Sequence, residues 1–296
     1  MIEFKNVKFN INNNSILSDI SFIINDKSIV SFVGSKGSGK TAILKLISSV
    51  YTSFYGEILI NGIDVDKNNQ VSIGFVSDEK EKNNYLSVFE FLKFYCELYN
   101  IDKSIIEKEI DRYLLQYSLM SYKYTDMSNL DDETYKLIDI IRVLIKNPDI
   151  LLFDNIFFSD NEDYLDKVTN IIKSLNGIKT IVIVGRNMFG IDNLSDNIGI
   201  LDGGKLIAFG DIDSIYQKAE INRKYVVEID GDTNNAINIL KNIDNVLNVL
   251  YNDNFITFSI GKNDNIFASN VLKKLIDSEV SKVYITVIVH IPVING

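Results

Sequence analysis

The eight residues Gly34-Ser35-Lys36-Gly37-Ser38-Gly39-Lys40-Thr41 fit the pattern G-x-x-x-x-G-K-[ST] at every position. The residue types dictate a chemistry. The glycines let backbone N–H groups turn inward around phosphate oxygens, and the N-terminus of a following helix favours negative charge. Lys40 supplies a point charge for the β and γ phosphates, and the Thr41 hydroxyl is suited to ligate magnesium. A metal held on phosphate also needs an acid. Asp154 closes the apolar run Ile150-Leu-Leu-Phe and suits that role. An apolar run ending in Asp is ordinary by itself; paired with the phosphate loop, the metal role is the better reading. A chance Gly/Ser loop would lack the apolar strand before and the helix pattern after. The loop therefore points to binding of a nucleoside triphosphate with Mg2+.

The elements that must position these groups follow from periodicity. Residues 2–9 and 16–24 alternate apolar and polar and read as a hairpin across Asn12–Ser15. Residues 28–33 form a short apolar strand into the loop, and 41–49 a helix out of it. Strands follow at 56–60 and 72–76. Ser87 and Glu90 form a capping box ahead of the stripe Val88, Phe91, Leu92, Tyr95 and Leu98. Helices are expected at 104–117 and 131–146, the latter stopped by Pro148. Strand 150–153, helix 162–175, strand 180–184 and a strand pair across 197–209, turning at Gly203-Gly204, complete this part. The order predicts an α/β fold: a P-loop NTPase with a mixed, mostly parallel sheet, an N-terminal antiparallel β element and a helical insert over about 85–147.

Gln217–Lys224 is polar and reads as a connection. Beyond it the pattern is strand 225–229, helix 234–241, strands 246–251 and 255–260, helix 266–277 and strand 282–289. That β-α-β-β-α-β order predicts a small ferredoxin-like α+β domain. The expected division is 1–216, a linker at 217–223, and 224–296.

Composition narrows the function classes. A hydrophobic content of 46% in 296 residues fits folded domains with a sizeable core. No apolar run approaches the ~18 residues of a membrane helix. The single cysteine, Cys96, excludes an internal disulfide framework and a multi-cysteine metal site, and a reducing, cytoplasmic setting follows. The net charge of −10 argues against nucleic-acid binding. From Asn222 onward seven Lys+Arg face eight Asp+Glu, so −9 lies in residues 1–221, with the phosphate loop.

With these motifs in place, the chain resembles the ATP-binding subunits of ABC transporters, and among them bacterial exporter-type subunits with a small C-terminal domain. The likeness spans residues 2 to about 215. It is carried by Ile73-Gly74-Phe75-Val76, Leu86-Ser-Val-Phe-Glu-Phe-Leu, Leu144-Ile-Lys-Asn-Pro148-Asp-Ile-Leu-Leu-Phe-Asp154 and Ile200-Leu-Asp-Gly-Gly-Lys205. The resemblance implies ATP as ligand, Mg2+ held by Thr41, Asp154 and Asp78, and pairing with a second nucleotide-binding domain, as a homo- or heterodimer. It further implies a permease in the membrane, contacted through the insert, and a cytoplasmic location at the inner face of the cell membrane.

Several positions depart from the family pattern. The general base, usually Glu, is Asn155, an amide that cannot accept a proton from water. The switch histidine is Arg186; the one histidine of the chain is His290, in an apolar strand and read as structural. The signature Leu-Ser-Gly-Gly-Gln becomes Leu130-Asp131-Asp132-Glu133-Thr134, which would cap its own helix and repel a phosphate. Asp78 is one carbon shorter than the usual Gln or Glu. The adenine-stacking aromatic falls at Ile11, with Phe9 nearby, and the Asp of the following loop falls at Asn161, beside Asp160. The expectation is an ATP-binding subunit that hydrolyses slowly or not at all. Two other readings stay open. One is an ordinary transporter ATPase in which Arg186 stabilises charge; the other is a regulatory or interaction protein built on the same fold. Tyr95, Tyr99 and Tyr113 could serve a membrane partner, with core packing preferred for most of them.

Overall fold

Alternation in the first residues produces the hairpin of β1 (Ile2–Ile11) and β2 (Asn14–Ile24), whose Ile2, Phe4, Val7, Phe9, Leu17, Ile20, Phe22 and Ile24 are all buried. The computed structural model describes residues 1–296 except 69, 81–84, 187, 189, 192, 219–222, 231–232, 244–245, 253–254, 261–281 and 289–296. The expected helix at 266–277 and His290 lie outside the described residues. The chain divides into two units, Met1–Arg186 with Gly190–Phe209, and Asn187–Phe189 with Gly210–Gly296.

In the first unit β3 (Ile29–Val33) leads through the phosphate loop to α1 (Lys40–Ile47). Next come β4 (Tyr55–Ile60), β5 (Ile63–Asp64) and β6 (Ile73–Val76). The helical insert holds α2 (Val88–Leu98), α3 (Ile106–Gln116) and α4 (Asp132–Ile145). Then follow β7 (Ile150–Asp154), α5 (Glu162–Leu175), β8 (Thr180–Gly185), β9 (Asn197–Asp202) and β10 (Lys205–Gly210). The hairpin belongs to an antiparallel sheet, order β2-β1-β4-β5, and the second sheet runs β10-β9-β3-β8-β7-β6. Phe22 joins the two, stacking on Phe4 at 4.4 Å and meeting Phe32 of β3 at 4.8 Å. β3, β7 and β8 are buried at every residue, as parallel strands covered on both faces must be.

Register gives the second sheet its use. β3 pairs in parallel with β8 and β9, β8 with β7, and β7 with β6. Val33 stands opposite Gly185, Asp154 opposite Val184 and Val76 opposite Phe153, so the carboxyl ends of four strands lie along one edge. Open α/β sheets bind ligands at that edge.

The capping box opens α2: Ser87 Oγ accepts from the Glu90 N–H at 3.3 Å, and Glu90 Oε2 accepts from the Ser87 N–H at 2.9 Å. Tyr95, Tyr99 and Tyr113 are half-buried and engaged within the insert. The Tyr99 hydroxyl accepts from Arg142, the Tyr113 hydroxyl donates to Leu144 O, and the Arg142 guanidinium lies 4.7 Å over the Tyr95 ring. All three are engaged with neighbours inside the insert and remain partly exposed.

The second unit opens with α6 (Ile212–Lys218) and β11 (Arg223–Asp230), so part of the polar stretch read as a connection is regular structure. The overlooked signal is Asp211, which takes the Ser214 N–H at 2.9 Å and caps a helix that buries Ile215. With α7 (Thr233–Lys241), β12 (Val246–Asn252), β13 (Phe255–Ile260) and β14 (Lys282–Ile288), it forms an antiparallel sheet of order β12-β13-β11-β14. That is the strand order of a split β-α-β arrangement.

Candidate nucleotide site

The phosphate loop fits its place only as glycine at two positions. Gly39 has φ 98°, and a Cβ there would lie 2.5 Å from Leu17 Cδ2 and 2.8 Å from Ile16 O. A Cβ on Gly34 would lie 2.0 Å from Leu201 O. Gly39→Ala is expected to cost on the order of 2–4 kcal/mol, the left-handed backbone and the overlap with β2 adding together. A lowered thermal midpoint in circular dichroism, with weaker ATP binding, checks this.

Gly39 is also the N-cap of α1 and offers no side-chain acceptor, so the first N–H groups of that helix face the loop without a capping partner. Lys40 is 9% exposed, and its Nζ donates to Gly34 O at 2.8 Å, Ser35 O at 2.8 Å and Ser38 Oγ at 3.0 Å. Burial pushes this ammonium down to about 8; Asp154 opposes the shift and Arg186 adds to it. A buried cation held by neutral oxygens, beside uncapped helix N–H groups, fits a polyphosphate.

Asp154 ends β7 and is 4% exposed. Burial holds its carboxyl above the usual range, Asp78 adds to that, and the Thr41 hydroxyl, Lys136 and Lys45 pull it back. Thr41, in the first turn of α1, thus acts on Asp154 at the end of β7. Asn155, next along the chain, sits at φ 53° with its N–H on Val184 O at 2.8 Å. Its side-chain Nδ2 donates to Asp78 Oδ1 at 2.9 Å. Asp78 lies two residues beyond β6 and Arg186 one residue beyond β8. Among the described residues no group of three or more His, Cys, Asp or Glu side chains gathers to hold a metal. Thr41, Asp154 and Asp78 suit a metal that takes its remaining ligands from phosphate and water.

Of the aromatic candidates for adenine, Phe9 is 4% exposed and stacks on Tyr51 at 4.8 Å, so its faces are committed to the core. Ile11 is exposed at the hairpin tip.

The acids at the signature position all find partners within the chain. Asp131 caps α4, accepting from Thr134 N at 2.7 Å and Thr134 Oγ1 at 3.0 Å. Burial opposes these bonds, but they hold the Asp131 carboxyl below its usual range. Asp132 pairs with Lys80 at 2.5 Å. Glu133 accepts from Ser159 Oγ and, at 2.9 Å, from Asn161 Nδ2. Asn161 Oδ1 in turn caps α5 through Asp163 N and Tyr164 N. The start of α4 is therefore fastened to the loops after β6 and β7. Spacing had placed these acids at the signature position but could not show Lys80, Ser159 and Asn161 facing them. A second residue that sequence reasoning passed over is Lys136, one turn into α4 and 5% exposed. A lysine on the apolar side of a helix was the available signal.

A phosphate loop on β3, an acid two strands away at the same edge, and a helical insert between β6 and β7 define a P-loop nucleotide-binding domain. Residues 17–157 match the family model described as ABC transporter. The first unit is an ABC transporter nucleotide-binding domain, of the class that forms the ATP-binding subunits of those transporters. Among curated relatives, an uncharacterised ABC transporter ATP-binding protein of Methanocaldococcus jannaschii is 28% identical over 218 residues, covering 73% of this chain and 80% of the relative. A methionine import ATP-binding protein of Clostridium acetobutylicum is 25% identical over 226 residues, covering 73% and 70%. The dimeric post-hydrolysis structure of an ATP-binding cassette with ADP and Pi superposes with a TM-score of 0.65 at 21% identity, over 72% of this chain and 99% of that one.

Proposed function

We propose that the chain is the ATP-binding subunit of an ABC transporter that binds Mg-ATP at Gly34–Thr41 and hydrolyses it weakly or not at all. The observation that carries this is the contrast at the ends of β3 and β7. Lys40, Thr41 and Asp154 keep a phosphate and metal grip, while Asn155 places an amide, bound to Asp78, where a proton acceptor is required. Mg2+, when bound with the nucleotide, offsets phosphate charge, and Thr41, Asp154 and Asp78 are the residues to hold it. Losing a general base costs roughly 10²–10⁴ in rate.

Pairing with a second nucleotide-binding domain is supported by the dimeric cassette, and a role in transport by the methionine import relative; the permease partner is part of the proposal. No helix among the described residues is long and apolar enough to cross a membrane. The location proposed for the chain is the inner face of the cell membrane, beside a permease. The acids at 131–133, already partnered within the chain, disfavour a second nucleotide at the start of α4. Affinity purification from detergent-solubilised membranes tests the assignment. Recovery of an integral membrane protein with the wild type supports it; recovery of soluble proteins alone moves the chain to the regulatory reading.

A further inference from the structure

A nucleotide offers two ends, a polyphosphate and a base. Lys40 and the uncapped start of α1 suit the first. The sheet order β10-β9-β3-β8-β7-β6 puts Asp154, and with it the metal and the terminal phosphate, on the β8-β7 side of the loop. The β1–β2 hairpin borders the loop on the other side. A Cβ on Gly39 would lie 2.8 Å from Ile16 O, and one on Gly204, in the turn between β9 and β10, 2.5 Å from the same oxygen. With its terminal phosphate toward Asp154, a nucleotide has its base toward the hairpin end.

The hairpin end is a two-residue turn, Asn12-Asn13, with φ 48° and 67°. Ile11 and the carboxamides of Asn12, Asn13 and Asn14 are exposed there. The rings nearby are engaged elsewhere. Phe9 is buried against Tyr51 at 4.8 Å, and the Tyr51 ring also receives the Lys45 ammonium at 5.5 Å. Tyr55 is exposed, but it pairs with Lys8 on the side of β1 away from β2, ~10 Å of strand short of Ile11. Stacking on an aromatic side chain is worth a factor of about 5–150 in affinity per base. An isoleucine touches any base alike. An exposed carboxamide carries donors and an acceptor and can meet any base edge.

We propose that this is a general triphosphate site: the chain binds ATP, GTP, CTP and UTP with nearly equal affinity, through the polyphosphate, and Ile11 is the position that leaves the base unread. The inference rests on the phosphate-loop reading above and names its ligand class as nucleoside triphosphates of any base. Which of them fills the site then follows their concentrations.

Calorimetric titration of the full chain in excess Mg2+ with ATP, GTP, CTP, UTP and inorganic tripolyphosphate tests it. In the wild type the four nucleotides should bind within about fivefold of one another. A wider preference for any one of them overturns the proposal, because the base is then read. Ile11→Tyr adds a ring at an exposed turn. It should raise the affinity for ATP and GTP by at least about fivefold and leave tripolyphosphate unchanged. A folded Ile11→Tyr variant with no gain for the purines also overturns the proposal, because the hairpin end then does not face the base. The wild-type comparison decides the case even where that variant fails to fold. If a base preference appears and all binding is lost in Lys40→Ala, only this inference fails. If none of the five ligands binds, the phosphate-loop reading fails with it.

Discussion

Lys40→Ala is expected to weaken ATP binding by at least about 100-fold while leaving the fold intact. In the structure this ammonium is buried and shared among Gly34 O, Ser35 O and Ser38 Oγ. Phosphate oxygens would replace those neutral acceptors with charged ones, and charge-assisted hydrogen bonds contribute about 1.5–3 kcal/mol each. Losing two of them is a factor of roughly 10²–10⁴ in affinity. The fold loses little, because alanine removes a cation that burial already disfavours. The nucleotide-free variant should melt within a few degrees of the wild type. Calorimetry and melting curves with and without ATP check both halves. An affinity within threefold of the wild type would remove the phosphate loop from the binding site.

The second large effect is a gain. Asn155→Glu is expected to raise ATP turnover by about 10²-fold, the low end of what a positioned base contributes. Two local terms keep it there. Position 155 has φ 53°, a conformation Asn tolerates better than Glu, so the variant should be less stable by about 1 kcal/mol. The new carboxylate would also replace the amide that donates to Asp78 at 2.9 Å, setting two acids side by side. Like charges at that range raise the proton affinity of one of the pair, so a share of the new side chain is protonated near neutral pH and cannot act as the base. A steady-state phosphate-release assay reads the gain, with the Lys40→Ala, Asn155→Glu double variant as the zero. No gain over the wild type would shift the block to Arg186 or to the acids at the start of α4.

How far the sequence carried can be judged position by position. Gly34–Thr41 and Asp154 were legible because the loop motif, the strand before it and the apolar run Ile150–Phe153 are local signals. The same holds for the Ser87 cap, whose two partners are three residues apart. What was not legible is long-range pairing. Asn155 and Asp78 are 77 residues apart in the chain, and Glu133 and Asn161 are 28 apart. Nothing in the spacing indicates that an amide and an acid at those positions will meet. Phe9 failed as an adenine platform for a related reason: alternation marked it as a strand residue, but only the packing of Tyr51 shows that the ring is used up. Helix α6 was missed because Gln217 and Lys218 weighed more in the reading than the cap at Asp211.

The parallel edge has a consequence for how such a protein can change. Lys40 follows β3, Asp78 follows β6, Asn155 follows β7 and Arg186 follows β8. Each group hangs from its own strand, and each strand is held by a core that the group does not enter. The site behaves as a set of separately mounted parts. One part can be exchanged with little disturbance to the mounting of the next, apart from the pair of side chains at 78 and 155. A phosphate grip can thus outlive the group that would cleave what it holds. By the same geometry, the missing parts could be refitted one at a time.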